Sequence, residues 1–441
     1  MERFKFFIIT LGCQMNKNDS ERLAALLLSL GMEEAKTEKE ADLVIINSCS
    51  VRESAESRVG GLVNSLTRLR LQRPRLIIGV TGCLPGRDKQ GLLRRKMPQA
   101  NLFFSSSEMG RLPGMLAEFF PGLKTNTFSF SDYLKIQPRY DSEYRAFVTI
   151  QTGCSQFCTY CVVPQARGLT KQRPLIDILT EIRDLDNRGY KEIVLLGQIV
   201  NQYQAPDPEN FSVYNPFQQD DFARLLWEVN QLKSIERVHW TAPHPRYLTD
   251  ETIVALTLPK QVNYLHLPVQ AGNNEVLRRM NRGYTREEYL QLVLKIKQTR
   301  PGLALGTDII VGFSGETEQQ FEDTVSLYQQ CDFDIAYLAK YSPRPGTAAA
   351  RAWADDVSWD EKKRRWRLLQ DLMEKTTYQK NQQYVGQIKT VLVDKYQNGQ
   401  NLGQSEEQKL VSFVSDQSLV GKMVRVRIKE AAEWILRGTV V

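Results

Sequence analysis

The chain has 441 residues, 42% hydrophobic and 25% charged, with a formal net charge of +7. That length fits about three domains, and that apolar content excludes a disordered chain. No run of about 18 apolar residues occurs, so no helix is expected to span a membrane. Residues 1–9 are apolar only briefly and no small-residue cleavage site follows, so a cytoplasmic protein without a secretory leader is expected. In that compartment the seven cysteines read as ligands or catalysts rather than as disulfides.

The first region carries three short β-branched runs, each ending at a cysteine. Residues 6–12 lead to Cys13, 43–48 to Cys49 and 76–82 to Cys83. Each reads as a buried strand, with helices between them over 20–30 and 53–71. Strand–helix–strand alternation predicts a parallel sheet, and such sheets gather ligands beyond the carboxyl ends of their strands. All three cysteines then fall at one edge, as three thiolates for a cluster; reduced core thiols are the bland alternative. Residues 52–96 hold eleven Lys/Arg against three Asp/Glu. A patch of that sign attracts phosphate backbones, or is simply a solvated helical face.

Residues 123–145 are polar and read as a connector. Six strand candidates follow, at 146–153, 192–198, 237–243, 263–270, 304–313 and 334–343, with helices over 176–188, 222–232, 274–280, 285–299 and 316–330. This alternation predicts an incomplete β/α barrel with its site at the carboxyl ends of the strands. The first strand runs into Cys154, Cys158 and Cys161, with no fourth cysteine or nearby histidine. Three ligands do not complete a tetrahedral structural zinc site; they do suit a four-iron–four-sulfur cube with one iron left open. A zinc-binding or merely reduced loop is the alternative. Gln198, Gln270 and Asp308 are polar residues at or within otherwise apolar strands, and so line a cofactor pocket or satisfy buried backbone groups. His239, His244 and His266 fall in or just after neighbouring strands, where core histidines are common. Cys331, between a helix and a strand, reads as structural. A charged helix over 360–384 precedes strands at 388–393, 409–414, 423–428 and 434–441, which predict a small β-barrel. The fold class is therefore α/β: a parallel-sheet domain over 1–122, a connector over 123–145, a partial (β/α)6 barrel over 146–372 and a small barrel over 376–441.

The loop Cys154-Ser155-Gln156-Phe157-Cys158-Thr159-Tyr160-Cys161 resembles the radical S-adenosylmethionine (SAM) signature, whose open iron chelates SAM. With Cys13, Cys49 and Cys83 upstream and a basic small barrel at the end, essentially the whole chain resembles the methylthiotransferases. The likeness rests on Gly12-Cys13-Gln14-Met15-Asn16, Cys161-Val162-Val163-Pro164 with Arg167-Gly168, Arg173-Pro174 and Leu196-Gly197-Gln198. It continues through His266-Leu267-Pro268-Val269-Gln270, residues 308–313 with Gly315-Glu316-Thr317, and Arg344-Pro345-Gly346-Thr347. The first of these motifs and Tyr160-Cys161-Val162-Val163-Pro164 are most similar to the MiaB type, which adds a methylthio group to carbon 2 of N6-isopentenyladenosine at tRNA position 37. Sister groups act on threonylcarbamoyladenosine or on a ribosomal-protein aspartate. A rival of another class is a non-catalytic iron–sulfur RNA-binding protein.

The resemblance implies two 4Fe-4S clusters and SAM, with no catalytic residues beyond the cluster ligands. Cys154, Cys158 and Cys161 would hold the cluster that passes an electron to SAM and releases a 5′-deoxyadenosyl radical. Cys13, Cys49 and Cys83 would hold a second cluster that carries the sulfur, and a second SAM would supply the methyl group. Tyr160, Gln198, Gln270 and Asp308 are the candidate SAM contacts. Arg425, Arg427 and Lys429 alternate on one strand and are the candidate RNA contacts. Implied partners are the tRNA anticodon stem-loop, an electron donor such as flavodoxin or ferredoxin, and a sulfur or cluster-assembly source; a monomer is expected. Two positions depart from the MiaB pattern. Gln165-Ala166 stands where Tyr-Thr is usual. Gly403-Gln404 stands where the terminal barrel, a TRAM domain in that family, usually has Gly-Arg, which removes a possible phosphate contact.

Overall fold

A computed structural model describes residues 4–50, 53–124 and 132–441. The first sheet has the order β2-β1-β3-β4-β5, all parallel, built from β1 (Lys5–Thr10), β2 (Glu33–Glu34), β3 (Leu43–Ser48), β4 (Ile77–Gly82) and β5 (Leu102–Phe103). β3 is buried at every position because both faces are covered. Leu43 and Ile45 share a core with the helix Gln14–Ser29, while Val44 and Ile46 share the opposite one with the helix Glu53–Gln72. Thr10 pairs with Asn47, and Ser48 with Gly82, so the three long strands end together. The two short edge strands, β2 and β5, were not expected. The first helix starts at Gln14, six residues before its expected start, and makes Cys13 its N-cap.

The described part of the 123–145 segment is packed rather than loose. Tyr133, Leu134 and Ile136 are buried in the first domain's core, and Arg22 donates to the Leu134 carbonyl at 3.0 Å. The central domain follows with β6 (Arg145–Thr149), a small ribbon of β7 (Gln151–Thr152) and β8 (Lys171–Gln172), then β9 (Glu192–Leu196), β10 (Arg237–Trp240), β11 (Tyr264–His266), β12 (Ala304–Val311) and β13 (Ile335–Lys340). Two parallel triplets, β6-β9-β10 and β11-β12-β13, are linked by a bridge between Val238 and Gln261. This is the expected six-stranded partial barrel. Its apolar exterior packs under the helices Leu175–Asn187, Asp221–Asn230, Arg286–Thr299 and Glu318–Cys331. Among the described residues, no helix is long and apolar enough to cross a membrane.

The helix Trp359–Gln382 leads to a closed barrel of β14 (Ile388–Gln397), β15 (Gln400–Ser405), β16 (Leu410–Val414), β17 (Met423–Ala431) and β18 (Leu436–Val440). It has five strands where four were expected. β15 (Gln-Asn-Leu-Gly-Gln-Ser) lacks the apolar alternation that marks a strand, yet it is held by ladders to β14 and β16. The small barrel sits against the amino-terminal end of the central one. Arg237 donates to the Gln404 and Thr390 carbonyls at 2.8 and 2.5 Å, and Arg145 pairs with Asp394 at 2.8 Å.

Candidate active site

Cys13 and Cys83 leave the sheet through tight glycine turns. Gly12 has φ +140°, and a Cβ there would lie 2.4 Å from Asn16 Oδ1 and 2.9 Å from the Cβ of Cys49. Gly82 has φ +98°, and a Cβ there would meet the Ser48 carbonyl at 2.4 Å. Only glycine fits such close approaches. Asn16 is fully buried and braces the edge: its amide donates to Asn47 Oδ1 at 3.1 Å and to the Ser48 carbonyl at 3.2 Å. Cys13 Sγ lies 3.4 Å from Asn16 Oδ1. Cys13 is exposed, Cys49 half-buried and Cys83 buried, and all are unbridged. Burial pushes the Cys83 thiol up, against the pull of the Arg167 guanidinium.

The second triplet sits on a loop held from three sides. The Cys154 N–H donates to the Gly168 carbonyl at 3.0 Å. The Asn281 amide donates to the Gln156 and Phe157 carbonyls, both at 3.1 Å, and Tyr247 donates to Gln156 Oε1 at 2.7 Å. Arg282, buried, donates to Cys158 Sγ at 3.4 Å and to the Pro268 carbonyl at 3.0 Å. Burial pushes the Cys161 thiol up to about 12 and raises Cys154 as well. Metal binding at such thiols has to displace protons.

One short helix connects the two triplets. Val163–Arg167 begins two residues after Cys161 and ends at Arg167, whose Nε donates to Cys83 Sγ at 3.4 Å. Five helical residues span about 8 Å. The helix can lie this close because a Cβ on Gly86 would sit 2.0 Å from the Ala166 carbonyl. Arg167 also donates to Asp19 at 2.6 Å, and both side chains are almost fully buried. Across the same joint, Arg344 donates to the Ser50 carbonyl at 3.2 Å and to Glu56 at 2.5 Å. Gln165, one of the departing residues, donates to the Gly346 carbonyl.

A cavity of about 680 Å³ opens inside the central barrel. Its walls include Cys13, Lys17, Glu192, His239, Asp308 and Gln404. Gln404, where the usual arginine of this position is absent, thus lines the cavity. The amide of Gln198 has a buried oxygen with no hydrogen-bond partner. Gln270 is buried at φ +73° and is inserted at the end of β12, its N–H donating to the Asp308 carbonyl at 2.8 Å and its carbonyl accepting from Ile310 at 2.9 Å. The Tyr160 ring is packed beside Phe313 and Tyr341, and its hydroxyl lies 3.5 Å from Arg282. Burial lowers His239 to about 4. His244 accepts from the Arg246 N–H and caps a short turn, a structural role. Arg425 and Lys429 are exposed on β17, with Arg427 partly so, while Val424, Val426 and Ile428 alternate into the core. In the basic stretch, Arg70, Arg73, Arg87 and Arg94 are engaged by Asn101, Asp42, Glu56 and the Ala100 carbonyl. Arg58, Arg68, Arg75, Lys89, Arg95 and Lys96 stay exposed, and Arg52 lies outside the described residues.

Among the described residues, no three His, Cys, Asp or Glu side chains converge on a point that would hold a single metal ion. A cube makes a different demand, since each thiolate binds a separate iron. Each triplet supplies three unbridged thiols, the number of donors that such a cluster takes when one iron is left open.

The sequence matches three families: the uncharacterized protein family UPF0004 over residues 5–105, the Radical SAM superfamily over 148–328 and the TRAM domain over 382–441. Several relatives carry the name tRNA-2-methylthio-N(6)-dimethylallyladenosine synthase. Those of Shouchella clausii and Caldicellulosiruptor saccharolyticus are each 40% identical over 99% of this chain and 84% and 92% of their own lengths. That of Clostridium botulinum is 39% identical over 98% of this chain and 96% of its own. This chain belongs to the tRNA-2-methylthio-N(6)-dimethylallyladenosine synthase family. The synthase family's central architecture is shared with distant solved structures. The radical SAM methyltransferase TsrM from Kitasatospora setae superposes with a TM-score of 0.51 at 14% identity, over 79% of this chain and 77% of that one. The radical enzyme OxsB superposes equally well at 13% identity, over 84% and 56%. Arg167, Arg282 and Asn16, which touch or brace the cysteines of the candidate site, escaped the sequence reading. Arg167 and Asn16 stand inside quoted motifs, but Arg282 has no local signal, because its contact with Cys158 spans 124 residues.

Proposed function

We propose that this chain is a radical SAM methylthiotransferase that adds a methylthio group to carbon 2 of N6-isopentenyladenosine at position 37 of tRNA. The observation that carries this reading is the pairing of two cysteine triplets across one five-residue helix. Sulfur insertion at an unactivated C–H bond needs a radical source and a sulfur carrier within reach of one substrate atom. The kinship with the named synthases supplies the substrate.

Cys154, Cys158 and Cys161 would hold one 4Fe-4S cluster, and Cys13, Cys49 and Cys83 the other. With SAM bound, these groups supply the radical and the methylthio group; the protein binds, orients and excludes water. The unpartnered Gln198 oxygen fits the ammonium of SAM, and Gln270, after β11, and Tyr160, in the cysteine loop, are further SAM contacts in this reading. Arg282 places a fixed positive charge beside Cys158, and Arg167 does so beside Cys83, so each offsets thiolate charge in a dry site. The exposed face of Arg425, Arg427 and Lys429 contacts RNA phosphates, aided by the exposed cations between Arg58 and Lys96. The base unstacks to enter the barrel cavity. The protein works as a cytoplasmic monomer with a flavodoxin- or ferredoxin-like reductant and an external sulfur source.

Nucleoside mass spectrometry on tRNA from a deletion strain tests the reading. The expected result is loss of 2-methylthio-N6-isopentenyladenosine with accumulation of its unthiolated precursor. Restoration by the wild-type chain but not by Cys49→Ala is expected. Loss of the threonylcarbamoyl counterpart instead, or no change in any tRNA nucleoside, overturns it.

A further inference from the structure

Three side chains on the cavity wall form a continuous hydrogen-bonded chain. Tyr264 Oη lies 3.2 Å from His266 Nδ1, and His266 Nε2 lies 3.3 Å from Asp308 Oδ2. Tyr264 and His266 come from β11 and Asp308 from the neighbouring β12. A glycine makes room for the chain: a Cβ on Gly306 would lie 2.1 Å from Tyr264 Oη and 3.0 Å from His266 Nδ1. The cavity wall holds three carboxylates, and the other two are neutralised by strong cations. Glu192 pairs with Arg145 at 3.1 Å and Glu407 with Lys389 at 2.9 Å. Asp308 has the His266 imidazole as its partner rather than a lysine or arginine, and 41% of its side chain is still open to the cavity. Around it stand aromatic faces: His266 lies 5.6 Å from Tyr337 and His239 lies 6.1 Å from Tyr264, ring centre to ring centre. Such faces suit a flat heterocycle.

An ionised carboxylate only accepts hydrogen bonds, so it needs a donor from whatever occupies the cavity. On an N6-alkylated adenine the ring nitrogens are acceptors, and the exocyclic N6–H is the base's one N–H donor. We infer that Asp308, held by His266 and Tyr264, accepts the N6–H of the adenine that is to be modified. The inference rests on the tRNA reading above and names the group that orients the base within it. Carbon 2 lies beyond N1 from that contact. The base edge carrying it then turns away from β12 toward the wall that bears Cys13, whose helix packs through Met15 on Val194 and Leu196 of β9. Tyr264 and His266 are positioning residues, acting through Asp308.

The test compares two anticodon stem-loops bound by the full-length protein, prepared anaerobically with its clusters. One carries N6-isopentenyladenosine and the other its N6-methyl derivative, which lacks the N6–H. The wild-type protein is expected to bind the first roughly ten-fold or more tighter, the scale of a hydrogen bond to a charged group. Asp308, expected from the sequence among the SAM contacts, is thereby reassigned to the base: Asp308→Ala is expected to bind both RNAs equally and weakly while still binding SAM. Asp308→Asn, which keeps the side-chain volume, is expected to show most of the same loss if the alanine variant does not fold. Equal binding of both RNAs by the wild-type protein overturns the inference. So does undiminished discrimination in Asp308→Ala, which would mark a steric effect of the added methyl. A fall in SAM affinity with RNA discrimination retained also overturns it, by assigning the carboxylate to SAM hydroxyls. Failure of the wild-type protein to bind either stem-loop overturns the tRNA reading itself, and Asp308's role with it.

Discussion

Arg167 ties a thiol of the first domain to a carboxylate of the same domain from a helix of the second. Removing one partner of a buried ion pair leaves the other charged and unsolvated. Asp19→Ala is therefore expected to cost about 3–5 kcal/mol, read as a lower urea midpoint. Glu21 offers a pH-dependent counterpart. Burial raises its carboxyl to about 7 from 4.5, against hydrogen bonds from the Asp141 N–H and the Asn18 amide. Between those values the folded chain keeps a proton that the unfolded chain has released, so this residue's contribution to stability falls as pH rises through the window. Glu21→Gln is expected to flatten the change in Tm between pH 4.5 and 7, which calorimetry across that range would detect. At this scale the six cysteines were legible because spacing alone betrays them: three follow strands and three share one loop. Arg282 and Asp308 were less so. Asp308 stood out as polar in an apolar strand, but its partner His266 and the cavity around it arise only when β11 and β12 pair.

Most strands and helices were readable from their periods, and the misses have physical causes. The helix after Cys13 begins with Gln14, Asn16, Asn18 and Asp19, of which Asn16, Asn18 and Asp19 are buried but polar. Asn16 braces Asn47 and Ser48 of its own sheet, while Asn18 donates to the Phe147 carbonyl at 2.8 Å and Asp19 accepts from Arg167, both in the next domain, so no apolar stripe marks the first turns. β15 was missed because its residues have low strand propensity and its pairing comes from neighbours. Its Gly403 permits the approach to β14, since a Cβ there would lie 2.1 Å from the Leu392 carbonyl. Two glycines in helices should respond oppositely to substitution. Gly86→Val, in the short helix Cys83–Arg87, is expected to drive that helix away from Val163–Arg167 and abolish methylthiolated product, measured by nucleoside mass spectrometry. Gly60 has nothing within 4 Å of a Cβ in the helix Glu53–Gln72, so Gly60→Ala is expected to stabilise by about 0.5–1 kcal/mol, measured by denaturant melts.

Three blocks were visible in the chain because each keeps its own pattern of strands and helices, but the joints between them were not. They are made by single long side chains reaching far-off backbone. Arg237 holds two carbonyls of the small barrel, Gln404 and Thr390, 167 and 153 residues away. Arg237→Ala is expected to loosen that barrel by about 1–3 kcal/mol for each carbonyl left without a donor. Hydrogen exchange should then quicken in β14 and β15 while the first sheet stays protected. The other joint bears on biosynthesis. Arg344 closes onto Ser50, beside Cys49, across 294 residues of sequence. At about 5–20 residues per second, a ribosome needs roughly 15–60 s to travel that distance. Arg167 reaches Cys83 earlier, 84 residues further along the chain, but until that interval ends the nascent first domain lacks the Arg344 contact beside Cys49. A cluster loaded on that triplet would therefore meet a more open edge during synthesis, and the contact beside Cys49 closes only after the last strand of the central barrel has left the ribosome.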